Sequence, residues 1–176
     1  SSSWTTLDIS DYTLMGNVTS FTYTHASNSG TPPRLSAAVS NWTKLTDLSL
    51  TYYYGVDLPN LTLPALSKFS MTSYYGYYYS YVSPNSGNSP FSSTFFAGVP
   101  ALTQLTVVGI GMTEIPDLSG LTQLKVLDLS SNGLKTLPDS FSTCSLTSLK
   151  VPNNYAFTKF PASLSNCVNL TYVDAS

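Results

Sequence analysis

From Leu102 to Ser176 the apolar positions recur in one frame, L-x-x-h-x-h with h apolar. Leu102, Leu124, Leu146 and Leu170 open it at spacings of 22, 22 and 24 residues. With the opening residue as position 1, Leu124, Leu127, Leu129 and Asn132 fill positions 1, 4, 6 and 9, and Leu146, Leu149, Val151 and Asn154 repeat them. The frame continues upstream in weaker form. It takes in Leu102, Leu105, Val107 and Ile110, then Leu66, Phe69, Met71 and Tyr74, then Leu45, Leu48, Leu50 and Tyr53, and finally Trp4, Leu7, Ile9 and Tyr12. A second register precedes most units, an apolar pair three residues apart: Val39 with Trp42, Phe96 with Val99, Leu118 with Leu121, Phe141 with Cys144, and Leu164 with Cys167.

Each core segment predicts a short strand. Strand residues alternate sides, so positions 4 and 6 point into a coil while 3, 5 and 7 point outward. One coil cannot bury its own leucines, because both of its flat sides stay open until neighbours stack on them. The expected fold is an α/β repeat solenoid of about seven coils in a single domain over residues 1–176. Its short parallel strands line a concave face, and loops and short helices form the convex side. At about 4.8 Å per coil the stack is roughly 30 to 35 Å long.

These units resemble the leucine-rich repeat family over nearly the whole chain. Phe160-Pro161, then Leu164-Ser165-Asn166-Cys167 and Leu170, are similar to the 24-residue unit of extracellular plant and protist surface proteins. The family places Asn at position 9, where its side chain bonds turn backbone. Here only Asn132 and Asn154 do so, and Tyr12, Tyr53, Tyr74 and Ile110 replace it elsewhere. The chain opens on Ser1-Ser2-Ser3-Trp4 and stops within a strand at Asp174-Ala175-Ser176, with no cysteine-bearing cap. An uncapped solenoid, part of a longer chain or an assembly, is expected.

Two units are longer than the rest. Trp4 to Leu45 spans 41 residues and Leu66 to Leu102 spans 36, which predicts insertions of roughly 19 and 14 residues after the strands. Turn residues fill both, as Asn28-Ser29-Gly30-Thr31-Pro32-Pro33 and as Ser83-Pro84-Asn85-Ser86-Gly87-Asn88-Ser89-Pro90. Tyrosine concentrates nearby, at Tyr52, Tyr53 and Tyr54 and at Tyr74, Tyr75, Tyr77, Tyr78, Tyr79 and Tyr81. Large, amphipathic and low in rotamer entropy, tyrosine suits an interface or a sugar platform. Tyr52, Tyr54, Tyr75, Tyr77, Tyr78, Tyr79 and Tyr81 form the candidate interaction surface, while Tyr53 and Tyr74 read as plugs for the missing Asn.

Composition changes the picture in one respect. Charged residues are 9% of the chain, against about a quarter in ordinary soluble domains, whereas Ser (29) and Thr (22) total 51. A net charge of -2 without a basic cluster excludes nucleic acid and anionic membrane surfaces as expected partners. No apolar run approaches the roughly 20 residues of a membrane span.

Sequons occur at Asn17, Asn41, Asn60 and Asn169. A chain this rich in hydroxyls would show about three by chance, but all four use Thr although Ser is commoner. They are candidate glycosylation sites. Cys144 and Cys167 end equivalent stretches 23 residues apart, so they should lie one above the other. Both fill an inward apolar position, which favours buried thiols acting as small hydrophobes. A disulfide is the open alternative.

Outward position 5 reads Asp8, Ser49, Ser70, Thr106, Asp128, Lys150 and Asp174, and position 7 is mostly hydroxylated. Solvated strand surface is expected there. Catalysis has no foothold: His25, the single His, reads as a solvated loop residue, and no nucleophile-elbow, Walker or zinc-protease motif occurs. No catalytic residue, cofactor or metal is expected. The sequence therefore points to an extracellular or cell-surface glycoprotein that scaffolds interactions with protein, itself or another, and with glycans, as a structural component of a filament or surface layer. The alternative is a ligand-binding ectodomain of a receptor or an inhibitor of a secreted enzyme.

Overall fold

The computed structural model describes residues 16–25, 34–51, 57–73 and 89–176. Within them seven strands pair in parallel, in chain order, as one sheet: β1 (Ser20–Thr24), β2 (Asp47–Thr51), β3 (Lys68–Thr72), β4 (Gln104–Val108), β5 (Val126–Asp128), β6 (Ser148–Lys150) and β7 (Tyr172–Asp174). Alternation sets the register. Phe21, Leu48, Phe69, Leu105, Leu127, Leu149 and Val173 align across the sheet at position 4. From β2 to β6 this column and position 6 are buried, with Leu50, Met71, Val107 and Leu129 fully enclosed. The expected leucine-rich solenoid is present.

The first coil differs from expectation. The strand beside β2 is Ser20–Thr24, built on Val18, Phe21 and Tyr23 at positions 1, 4 and 6, with Phe21 opposite Leu48. The Trp4, Leu7, Ile9 and Tyr12 unit lies outside the described residues. Val18 to Leu45 is 27 residues, so the connection into β2 carries only a few extra residues instead of roughly 19. A strand of alternating hydroxyls and aromatics, Ser-Phe-Thr-Tyr-Thr, pairs as readily as a leucine-rich one because the inward residues need only be large and apolar.

Convex connections follow the second register. Short 3-10 helices span Ala37–Asn41, Phe95–Gly98 and Ala162–Asn166. Their i to i+3 bonds, Trp42 N–H to Val39 O (2.9 Å), Val99 to Phe96 (3.3 Å) and Cys167 to Leu164 (3.0 Å), superimpose the apolar pair on one side. In the coil that follows β3, a cluster of Phe69, Phe91, Phe95 and Phe96 fills the interior, with ring centroids 4.9 to 5.9 Å apart.

Hydroxyls knit the coils together. The position-2 carbonyls of Thr19, Thr46, Ser67, Thr103, Lys125 and Thr147 each accept two N–H groups from the next coil. Side-chain hydroxyls of Thr46, Ser67, Thr103, Thr147 and Thr171 add a third bond at 2.9 to 3.2 Å. Lys125 interrupts this column. Part of the Ser/Thr excess therefore closes the ladder instead of facing water.

A parallel column runs at position 8. The N–H groups of His25, Ser73, Gly109, Ser131 and Asn153 donate to the position-7 carbonyls of Thr51, Val108, Ser130, Pro152 and Ser176, at 2.8 to 3.2 Å. His25 is thus not a solvated loop residue. It continues β1 into the ladder, is buried, and lies 3.3 Å from the Tyr23 hydroxyl through Nδ1. Burial pushes the Tyr23 phenol above its ordinary pKa.

Cys144 and Cys167 are joined as a disulfide, with Cα atoms 4.9 Å apart, and are not the two separate buried thiols that their inward apolar positions favour. Stacking brings equivalent backbone positions of adjacent coils within bridging range. The bond closes a loop of sequence separation 23 and ties the β7 coil to the β6 coil. Replacing both cysteines by Ser is expected to cost about 3 kcal/mol, observed as earlier hydrogen exchange confined to the last two coils. Unchanged protection of β7 would show that packing alone holds it.

Candidate interaction surface

The concave face carries three outward columns. Position 3 reads Ser20, Asp47, Lys68, Gln104, Val126, Ser148 and Tyr172, and position 5 reads Thr22, Ser49, Ser70, Thr106, Asp128, Lys150 and Asp174. Four of the five charges in these two columns form ion pairs. Lys68 lies 3.5 Å from Asp47, and Lys150 lies 3.7 Å from Asp128. Asp47 also accepts the Thr46 hydroxyl at 2.7 Å. Asp128 accepts the N–H (3.1 Å) and hydroxyl of Ser130, and Asp174 accepts both groups of Ser176 at 3.2 and 3.0 Å. At their exposure these pairs contribute at most about 1 kcal/mol each, so their main effect is to leave the face without strong net charge.

Between columns 3 and 5 a shallow open depression of about 160 Å³ crosses coils β1 to β4. Ser20, Asp47, Lys68 and Gln104 line one side, and Ser49 and Ser70 the other. The strand residues Phe21, Leu48 and Phe69 lie between them. Column 3 was legible in the repeat frame. Its polar residues follow no period of their own, so nothing in the sequence set them apart from ordinary solvated positions.

The four sequon asparagines are all exposed. Asn17 and Asn169 occupy the same place in the β1 and β7 coils, immediately before position 1, and Asn17 Oδ1 accepts the Lys44 ammonium at 2.7 Å. Asn41 ends the first 3-10 helix. Asn60 is on the adjacent coil, where its Oδ1 accepts the Ser92 hydroxyl and Thr62 N–H reaches Ser40 Oγ at 3.0 Å. Two sequons thus flank the strand starts at the ends of the sheet and two share the convex side. Tyr52, Tyr54, Tyr75, Tyr77, Tyr78, Tyr79 and Tyr81, with most of both inserted segments, lie outside the described residues.

Elsewhere Asp117 serves a local turn and Asp139 reaches the next coil. Asp117 is held below the usual carboxylate range by the Ser119 hydroxyl and N–H, and Asp139 by those of Ser163. Among the described residues no group of three or more His, Cys, Asp or Glu is placed to hold a metal ion, and no helix is long and apolar enough to cross a membrane.

Residues 123–144 match the family model described as Leucine Rich Repeat. No curated protein matches the sequence. Among solved structures, the chain is similar to InlP of Listeria monocytogenes, with 19% identity and a TM-score of 0.41 over 94% of this chain and 45% of that one. The chain therefore spans less than half the length of that protein.

Proposed function

The chain being built of leucine-rich repeats, we propose that it is a non-catalytic extracellular glycoprotein of the plant and protist surface type, a scaffold for protein interaction within a surface layer or filament. The Cys144–Cys167 disulfide carries the reading, since such bonds persist in oxidising compartments and are rare in the cytosol. Exposure of all four sequons supports it, because an acceptor Asn must be reached by the glycosylating enzyme. A surface with 9% charged residues, two pairs of which bridge on the concave face, suits close packing against other surfaces.

Tyr52, Tyr54, Tyr75, Tyr77, Tyr78, Tyr79 and Tyr81 are the proposed contact residues, with a protein partner, another copy included, and no membrane insertion. Mass spectrometry and electron microscopy of the native material test this together. Glycans at two or more of Asn17, Asn41, Asn60 and Asn169, with regular fibres or sheets, are the expected outcome. Unmodified asparagines would overturn the glycoprotein reading. Monodisperse glycosylated particles would favour the ligand-binding ectodomain or secreted inhibitor instead. Alanine at Tyr77, Tyr78 and Tyr79 together is expected to weaken association while leaving the thermal midpoint unchanged.

A further inference from the structure

The depression across β1 to β4 has a chemistry that selects among ligand classes. It runs across paired strands, so the backbone groups between β1 and β4 are engaged in the ladder and leave no gap for an added peptide strand. Of the apolar side chains beneath it, Leu48 and Phe69 are 2% and 1% exposed and Phe21 is half-buried, so the floor is shallow and offers no deep trough for the anchor residues of an amphipathic helix. What it presents is hydroxyl, amide, carboxylate and ammonium along two rows, over apolar atoms that include those of Phe21, a mixture that matches the polar edges and apolar C–H faces of a sugar. Ser20, Asp47, Lys68 and Gln104 form one row, and Ser49 and Ser70 the other.

Two features narrow the ligand further. The single carboxylate and the single ammonium are paired, so the site holds no net charge and favours neither an anion nor a cation. Yet both groups are far from buried, at 40% and 60% side-chain exposure, and keep bonding capacity for a visitor. Four coils at about 4.8 Å give a row about 14 Å long with donors and acceptors mixed along it. The next residue in column 3 is Val126, which ends the polar row.

From this geometry we propose that the β1 to β4 depression binds an uncharged, polyhydroxylated chain, a neutral oligosaccharide lying across the strands. Vicinal hydroxyls of such a ligand donate to Asp47 and accept from Lys68 and Gln104, while Ser49 and Ser70 bond from the opposite row. The proposal uses none of the tyrosines of the assembly reading, so it stands or falls independently of it.

The test uses the full chain in saturation-transfer NMR and titration calorimetry against manno-, cello- and laminari-hexaose, with an oligogalacturonate as the acidic control. Saturable binding of at least one neutral hexaose is expected, weakened about tenfold by Gln104→Leu and by Asp47→Ala and left unchanged by Ser148→Leu, which lies in the same column outside the depression. Circular dichroism of each variant separates lost binding from lost folding, and the milder Gln104→Glu serves if Gln104→Leu fails to fold. Absence of saturable binding at millimolar hexaose, equal affinity in the Gln104 and Asp47 variants, or preference for the acidic chain would each overturn the proposal.

Discussion

Asn132→Leu is expected to destabilise the solenoid by about 3 to 5 kcal/mol, the largest effect of any single polar-to-apolar change in the regular half. The Asn132 side chain is buried and fully used. Its Oδ1 accepts the N–H groups of Ile110 (3.3 Å) and Met112 (3.2 Å), and its Nδ2 donates to the carbonyls of Val107 (2.7 Å), Leu129 (3.0 Å) and Ser130 (3.1 Å). Leucine fills nearly the same volume but leaves these backbone groups unpaired away from water, and each orphan costs roughly 1 to 3 kcal/mol before relaxation. Urea denaturation reads the loss as a lower midpoint. Asn154→Leu is expected to cost less, because Asn154 Oδ1 receives one N–H, from Leu134 at 3.0 Å, instead of two. Equal losses in the two variants would show that the turns are satisfied in some other way.

This bonding also satisfies the turn at Ile110, where the frame has no Asn. Oδ1 of Asn132 reaches back one coil to cap that turn, so a single Asn serves two coils, and Ile110 is free to be buried in the core.

Gly109→Ala is expected to cost about 3 kcal/mol, through two separate terms. Gly109 has φ +70, a left-handed conformation that adds roughly 1 to 2 kcal/mol for a residue with Cβ. Ser131 and Asn153 take the same conformation at the same place in their coils, with φ 57 and 58, so conformation alone does not demand glycine. The neighbouring coil does. A Cβ at Gly109 would come 1.9 Å from the Ser73 carbonyl oxygen, which can be relieved only by moving backbone that is held in the position-8 ladder. Overpacking of this kind adds roughly 1 to 3 kcal/mol. Thermal unfolding of Gly109→Ala beside Gly120→Ala, whose Cβ meets nothing within 4 Å, checks the argument. A similar midpoint for both variants would mean that the β3 and β4 coils part without cost.

Legibility followed the kind of signal each feature leaves. Leu48, Leu105 and Leu127 announce inward strand positions because burial imposes a period, and the apolar pairs such as Val39 with Trp42 announce the 3-10 turns for the same reason. Phe21 and Tyr23 leave no such signal, since a coil built on aromatics, between Ser and Thr, does not carry the leucine frame. His25 looked like loop chemistry because its neighbours in sequence, Ala26 to Gly30, are polar and small, although its partner is Thr51 on another coil. Of the candidate sites, the sequons are read from a local motif, whereas the Asp47, Lys68 and Gln104 row exists only once three coils are stacked.

By itself, then, the sequence determined the solenoid: a coil of about 22 residues, the residues facing inward, and parallel stacking in chain order. Those properties depend on local alternation and on a period, which a chain displays without folding. The tertiary structure alone decided that Ser20–Thr24 is the strand beside β2 and that Cys144 meets Cys167. It also decided that Gly109 must yield to Ser73 and that a charge-paired polar groove crosses four strands. Each of these is a distance between coils 21 to 36 residues apart, set by how closely neighbouring backbones approach, and no residue's own chemistry specifies that approach.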